Sequence, residues 1–223
     1  MPTGHALCFS VSGQRLTLRT KLYAQLKTLL PEHFPGRRFE FLGNPFNRLP
    51  FPLLESPEDN EPATTKLFDC WTKLDRFCHR RLRPLLLTNS VIITHGFGLD
   101  ALLYATACVG CDAENDEAVR LHKGLVRLRL LEQDVEPPEY FITRANVRTL
   151  DARMLEAMPE LGNMSQAARL RFIRYEETVI EKYFEPANKQ KKPHFIEADQ
   201  SVEDMVQQVV SIIDRRLRKR ETA

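Results

Sequence analysis

Five short apolar runs, separated by stretches of helical period, constrain this chain more than any other feature. They are ALCFSV at 6–11, RRFEFL at 37–42, SVIIT at 90–94, EYFIT at 139–143 and HFIEA at 194–198. SVIIT is continuous rather than alternating, as a central parallel strand covered on both faces must be. Between the runs, apolar residues return at helix spacing. Leu22, Leu26, Leu29 and Leu30 mark a first helix, ended by Pro31 and Pro35-Gly36. Leu67, Trp71, Leu74 and Cys78 mark a second over 63–82, ended by Pro84. Residues 99–108, 115–132 and most of 146–184 continue the pattern, with Ser165 as an N-cap. Ser201, with Asp204 three residues on, resembles a capping box and opens a last helix striped by Met205, Val209, Ile213 and Leu217. Strands alternating with helices long enough for right-handed crossovers predict an α/β fold, a three-layer α/β/α domain on a five-stranded parallel sheet. With 223 residues, the chain reads as one domain over 1–223, with a proline-rich loop at 43–62 and a basic C-terminal tail at 215–223.

Charge narrows the function classes. The 32 basic and 30 acidic side chains leave a net charge of +2, which gives no global case for nucleic-acid binding. RRLRKR at 215–220 is the exception. It reads either as the solvated cationic end of a helix or as a contact for nucleic acid, anionic lipid or an acidic partner. The stretch 84–111 is interrupted by Asn89, His95, Gly96 and Asp100, so no conventional membrane span is expected. Five cysteines form no regular framework, and no apolar leader opens the chain, which suits a cytoplasmic, reducing compartment. Cys108 and Cys111 form a lone CVGC pair that reads as structural thiols before metal or redox chemistry.

In a parallel sheet, ligands sit at the C-terminal strand ends, which directs attention to 12–20, 43–50, 95–100 and 144–148. A phosphate-binding loop needs glycines that let backbone N–H groups curl around an anion, a Lys for the outer phosphates, and a hydroxyl for Mg²⁺. The first strand here leads into SGQRLTLRTK, with Gly13 as its single glycine and no GK[ST]. With Thr20 placed as the second hydroxyl, Leu18 stands where the lysine should be. Ser12, Gly13 and Thr20 remain candidate phosphate-side residues, with Arg15, Arg19 or Lys21 as candidate cations at the helix start.

The layout resembles the thymidylate kinase family, within the P-loop nucleoside monophosphate kinases, over almost the whole chain. ALCFSVSGQRLTLRTKLYAQL resembles the first strand, loop and helix; FEFLGNP at 39–45 resembles the second strand and its Arg-Glu-Pro segment, of which only Pro45 is kept. SVIITHGFGLDALLYA at 90–105 resembles the third strand and the Asp-Arg-Tyr/Phe segment, with His95 and Gly96 in the Asp and Arg places, Phe97 as the aromatic, and Tyr104 as a later tyrosine. PPEYFIT at 137–143 and FIEADQSVEDMVQQVVSII at 195–213 resemble the last two strands and the final helix. The resemblance makes 144–184 a helical, lid-like region, with Arg169, Arg171 and Arg174 as lid-type arginines, and places Phe68 where it could stack on a base. It also implies side-by-side helix packing, hence a homodimer or another protein partner, and a nucleotide as possible ligand.

The departures cluster. The phosphate Lys, the Mg²⁺ hydroxyl context, the Asp-Arg pair and the Glu of the second loop are missing together, and phosphoryl transfer is mostly positioning and charge stabilisation. The expectation is a pseudoenzyme acting as a binding, regulatory or assembly module, without a confident cofactor or metal. Two alternatives stay open. One is an active nucleoside or nucleotide kinase with an atypical loop, which would need ATP and Mg²⁺; the other is a scaffold using the basic tail. His95 reads either as a hydrogen-bonded structural histidine or as a general base or metal ligand, and Asp100 orients it only if the turn folds back. His79 and Asp75 form a helix-stabilising i, i+4 pair.

Overall fold

The computed structural model describes residues 6–43, 63–88, 90–108, 138–185 and 192–222. The expected helix at 115–132 and the loop from 44 to 62 lie outside the described residues, as do Cys111 and the side chains of Leu67, Tyr104 and Cys108.

Five strands form one sheet: β1 (Leu7–Gly13), β2 (Phe39–Leu42), β3 (Val91–His95), β4 (Glu139–Arg144) and β5 (His194–Glu197). Their order is β2-β3-β1-β4-β5 and every pairing is parallel, with Phe9 opposite Ile93 on one side and Glu139 on the other. Successive strand residues feed two different cores. Phe9, Val11, Val91, Ile93 and Phe141 face α1 (Arg19–His33) and the C-terminal helix Val202–Glu221, whereas Ile92, Tyr140 and Ile142 face helices on the other side. That double burial is why the central runs are continuously apolar.

The second face is covered by α2 (Ala63–Phe77), α3 (Arg83–Leu86), α4 (Gly98–Cys108) and the helix Gln166–Tyr183. In chain order, Val147–Ala157 is α5, Gln166–Tyr183 is α6 and Val202–Glu221 is α7. A 3₁₀ turn, Pro159–Asn163, joins α5 to α6. Leu150, Met154, Leu161, Phe172 and Ile173 form a third, smaller core within this α5–α6 cap.

Two helix boundaries differ from the sequence expectation. Pro31 sits inside the last turn of α1, which runs on to His33 because Leu30 is fully buried and the Phe34 N–H closes the end on the Leu30 carbonyl at 3.1 Å. Leu29 is 38% exposed and lies off the buried stripe of Leu22, Leu26 and Leu30. Pro84 does not end the second helical segment either. A π-helical turn, Cys78–Leu82, follows α2 and keeps both Cys78 and Leu82 in the core; Pro84 then lies in the first turn of α3, where its missing N–H costs nothing. The caps at Ser165 and Ser201 form as expected, each hydroxyl accepting an N–H three residues on, from Ala168 at 3.2 Å and Asp204 at 3.1 Å. Ser201 also donates to the Asp204 carboxylate at 2.7 Å, so that side chain turns to the hydroxyl.

Candidate functional site

The sheet delivers the loop Gln14–Leu18 to the C-terminal strand edge, between β1 and α1. Gly13 begins it with φ 131°, and a Cβ there would lie 2.2 Å from the Thr143 carbonyl oxygen. Only glycine allows β1 and β4 this approach, and the Gln14 N–H then donates to that same carbonyl at 3.1 Å. Thr17, fully buried, donates to the Gln14 carbonyl at 2.6 Å and lies 2.6 Å from the Thr143 hydroxyl. Leu16 and Leu18 both have φ 61°, and Leu18 occupies the N-cap of α1 with no side-chain cap.

An eight-residue frame from the strand-end glycine to Thr20 puts Leu18 at the second glycine and Arg19, not Leu18, at the lysine of the phosphate-loop pattern. Leu18 keeps the left-handed conformation a glycine would adopt freely, at a cost of about 1–2 kcal/mol.

The cations of the loop are already matched by carboxylates. Arg19 pairs with Asp100 and donates to the Gly13 carbonyl at 3.3 Å. Asp100 also accepts the Phe97 N–H at 3.2 Å; Gly96, at φ 81°, lets the turn close over that carboxylate, which a Cβ would meet at 3.1 Å. The turn thus folds back, and Asp100 hydrogen-bonds to Arg19 and a backbone N–H, reaching His95 only through its charge. On the other side, Glu176 of α6 accepts the main-chain N–H of Arg15 at 3.1 Å, and its other oxygen lies 3.1 Å from the Arg15 Nε. Glu176 is 2% exposed; burial pushes its carboxyl upward, with the Arg15 cation pulling the other way. Leu16 packs against the small α5–α6 core, and the Arg153 guanidinium donates to the Leu16 carbonyl at 3.3 Å and the Ala198 carbonyl at 2.9 Å.

His95, at the end of β3, stacks on Tyr23 with ring centroids 4.8 Å apart, and its Nε2 lies 3.5 Å from the Thr20 hydroxyl. Burial first, then the Arg19 charge, lowers its pKa to about 4, so the imidazole is neutral at pH 7. No three His, Cys, Asp or Glu side chains come together to hold a metal among the described residues.

The remaining sequence candidates separate. Ser12 is buried, its hydroxyl 2.9 Å from that of Ser10. Phe97 is fully buried in the core, edge-on to Phe77 at 6.4 Å. Arg169 is 6% exposed and held within the cap by Asp151 at 2.7 Å and the Met164 carbonyl at 2.7 Å. Arg171 and Arg174 are exposed on α6, Phe68 is 63% exposed on α2, and the Tyr104 side chain is outside the described residues. The basic stretch 215–220 is the end of α7 rather than a free segment: Leu217 is buried, Arg216 pairs with Glu139 at 2.8 Å, and Arg218 pairs with Asp214 at 2.9 Å.

What the structure does bring together is a cleft of about 550 Å³ over the loop, lined by Arg15, Thr17, Arg19, Thr20, Lys21, Arg153 and Glu156 among others. Sequence reasoning passed over Asp100 as a partner of Arg19, and it missed Glu176, Asp151 and Arg153. Glu176 had a visible signal, since it falls on the buried stripe of Phe172, Val179 and Tyr183 at helix spacing. A carboxylate on such a stripe demands a cation.

No protein-family profile matches the chain, and no curated protein matches it. Among solved structures it is similar to thymidylate kinase from Ehrlichia chaffeensis, with 16% identity over 94% of this chain and 99% of that one, and a TM-score of 0.58. At that identity the likeness is one of architecture: the chain has a thymidylate kinase-like fold, the parallel α/β fold of the P-loop nucleoside monophosphate kinases.

Proposed function

We propose that this protein is a catalytically inactive thymidylate kinase-like chain that serves as a binding, regulatory or assembly module. The observation that carries the proposal is Glu176 on the Arg15 N–H. A phosphate loop works through backbone N–H groups and cations left open for an incoming anion. Here one loop N–H and the Arg15 guanidinium face a buried carboxylate, Arg19 faces Asp100, and Leu16 is seated in the cap core. ATP with Mg²⁺ does not fit these residues as arranged, because the groups that would meet its outer phosphates are committed to internal anions.

A second reading has its own support. Gly13, Arg19 and Thr20 keep the spacing of a phosphate loop, and Lys21 and Arg153 add positive charge to a cleft of about 550 Å³. On that reading the chain is a nucleotide kinase with an atypical loop, opened by movement of α6. The assembly role draws on Phe68, 63% exposed on α2 with its ring 5.8 Å from that of Trp71, as a contact for a second copy or a protein partner.

Calorimetric titration with ATP–Mg²⁺, ADP, dTMP and dTTP, alongside a phosphate-transfer assay, separates the two. The inactive reading expects no transfer. Micromolar ATP–Mg²⁺ binding accompanied by transfer to a nucleotide overturns it.

A further inference from the structure

All strands are parallel, so the loop lies at one edge of the sheet and the carboxyl ends of α2, α3 and α7 lie at the other. Two contacts fix that placement. The Ala6 N–H donates to the Leu86 carbonyl at the foot of β1, and Arg216 of α7 pairs with Glu139, the first residue of β4. This far edge is densely cationic. On one side of the sheet, the segment from Arg76 to Arg83 exposes Arg76, His79, Arg80, Arg81 and Arg83, while Cys78 and Leu82 turn inward across the π-helical turn. On the other, α7 ends in Arg215, Arg218, Lys219 and Arg220.

Pairing distinguishes these groups from a balanced surface. His79 meets Asp75 at 3.9 Å and Arg218 meets Asp214. Arg76, Arg80, Arg81, Arg83, Lys219 and Arg220 have no carboxylate partner among the described residues, although Glu32, Glu181 and Glu185 are exposed on helix ends of the same edge. Part of this charge complements the carboxyl-end dipoles of the helices. Four arginines within eight residues exceed that need, and the guanidinium fork is suited to phosphodiester oxygens rather than to a point charge. The two patches flank a sheet with a helix layer on each side, which sets them roughly 20 Å apart, or about six base-pair rises. Leu87, 80% exposed, is the only large exposed apolar side chain between Cys78 and Thr88 among the described residues, too little for an amphipathic lipid-binding face.

We infer that this edge is a nucleic-acid-binding surface, which grips the phosphodiester backbone through Arg76, Arg80, Arg81 and Arg83 on one side and Lys219 and Arg220 on the other. Contacts of this kind position a strand without reading sequence. The surface is at the opposite end of the molecule from Glu176 and the loop, so it functions whether or not the cleft binds a nucleotide.

Fluorescence anisotropy with a short labelled single-stranded RNA and a DNA duplex, set beside sedimentation with phosphatidylserine vesicles, tests the inference on the full chain. The expected result is sequence-independent binding that weakens between about 50 and 200 mM salt by roughly 300-fold for the single strand and roughly 2,000-fold for the duplex, as about six phosphate contacts require. Arg80→Gln/Arg81→Gln/Arg83→Gln should lower the log–log salt slope by about 3, and Lys219→Gln/Arg220→Gln by about 2. These side chains are exposed or half-exposed, and an unchanged circular dichroism spectrum confirms folding. Glu176→Gln should bind nucleic acid like the parent, which keeps this test separate from the one on the cleft. Absence of binding, binding to vesicles alone, or a salt slope indifferent to both sets of substitutions would overturn the inference.

Discussion

One carboxylate of α6, that of Glu176, receives the main-chain N–H of Arg15 on one oxygen and faces its guanidinium with the other, each at 3.1 Å. Glu176→Gln keeps an acceptor for the N–H but removes the negative charge, so Arg15 becomes available to an outside anion. We expect titration calorimetry to show affinity for pyrophosphate or ATP–Mg²⁺ rising at least about tenfold over the parent, equivalent to about 1.4 kcal/mol. The same change should lower stability by about 1–3 kcal/mol, because the Arg15–Glu176 ion pair is lost. Unchanged anion affinity would remove Glu176 from the role of internal occupant.

Two backbone positions in the loop predict opposite outcomes. Leu18→Gly relieves a left-handed leucine, and a gain of about 0.5–1 kcal/mol, or a melting point higher by about 1–4 °C, is expected after the entropy cost of glycine. Gly13→Ala forces a methyl to 2.2 Å from the Thr143 oxygen at φ 131° and should lower the melting point by several degrees or prevent folding. Thermal melts of the two variants check both signs.

His95 gives the fold a defined acid sensitivity. Its pKa falls from 6.5 to about 4 on folding, so the unfolded chain binds the proton first. The stabilising contribution is complete above pH 6.5 and is lost as pH falls from there towards 4, amounting to about 2 kcal/mol between pH 7 and 5. Glu176 acts in the opposite direction, because its raised pKa lets the folded state take up a proton as pH falls. Urea unfolding of His95→Gln against the parent at the two pH values isolates the histidine. Parallel profiles for the two proteins would refute the assignment.

Arg169 is expected to hold the cap rather than a ligand. Arg169→Met leaves Asp151 without its cation, and the Arg169 hydrogen bond is the first of the influences keeping that carboxyl below its usual range. A loss of about 3–5 kcal/mol is the usual consequence of breaking such a pair from one side. Hydrogen exchange should quicken over 159–173 more than over the sheet strands. Uniform exchange across the chain would show that the pair contributes nothing local.

The centre of the sheet was legible because β1, β3 and β4 are largely buried on both faces, and burial writes itself as continuous apolar runs such as SVIIT. The caps at Ser165 and Ser201 were legible for a similarly local reason: a hydroxyl three residues before an orphan N–H. Helix ends governed by packing were not. Pro31 and Pro84 are stop signals in isolation, yet Leu30 and the π-helical turn at Cys78–Leu82 carry the chain past them. The site was the least legible. Arg15 and Arg19 could be singled out, but their partners lie 161 and 81 residues away in the pairs Arg15–Glu176 and Arg19–Asp100. No periodicity reports which distant carboxylate a turn will meet. The sequence therefore displayed where the loop departs from a phosphate-binding pattern without the acids that pair with its arginines.

Leu16 joins the loop to the cap by an apolar contact, and that contact has a calorimetric consequence. A ligand that lifts the loop must strip hydrocarbon from its seat and wet it. Such an association would carry a positive heat-capacity increment where ordinary docking carries a negative one, a thermal signature of prying open rather than closing down.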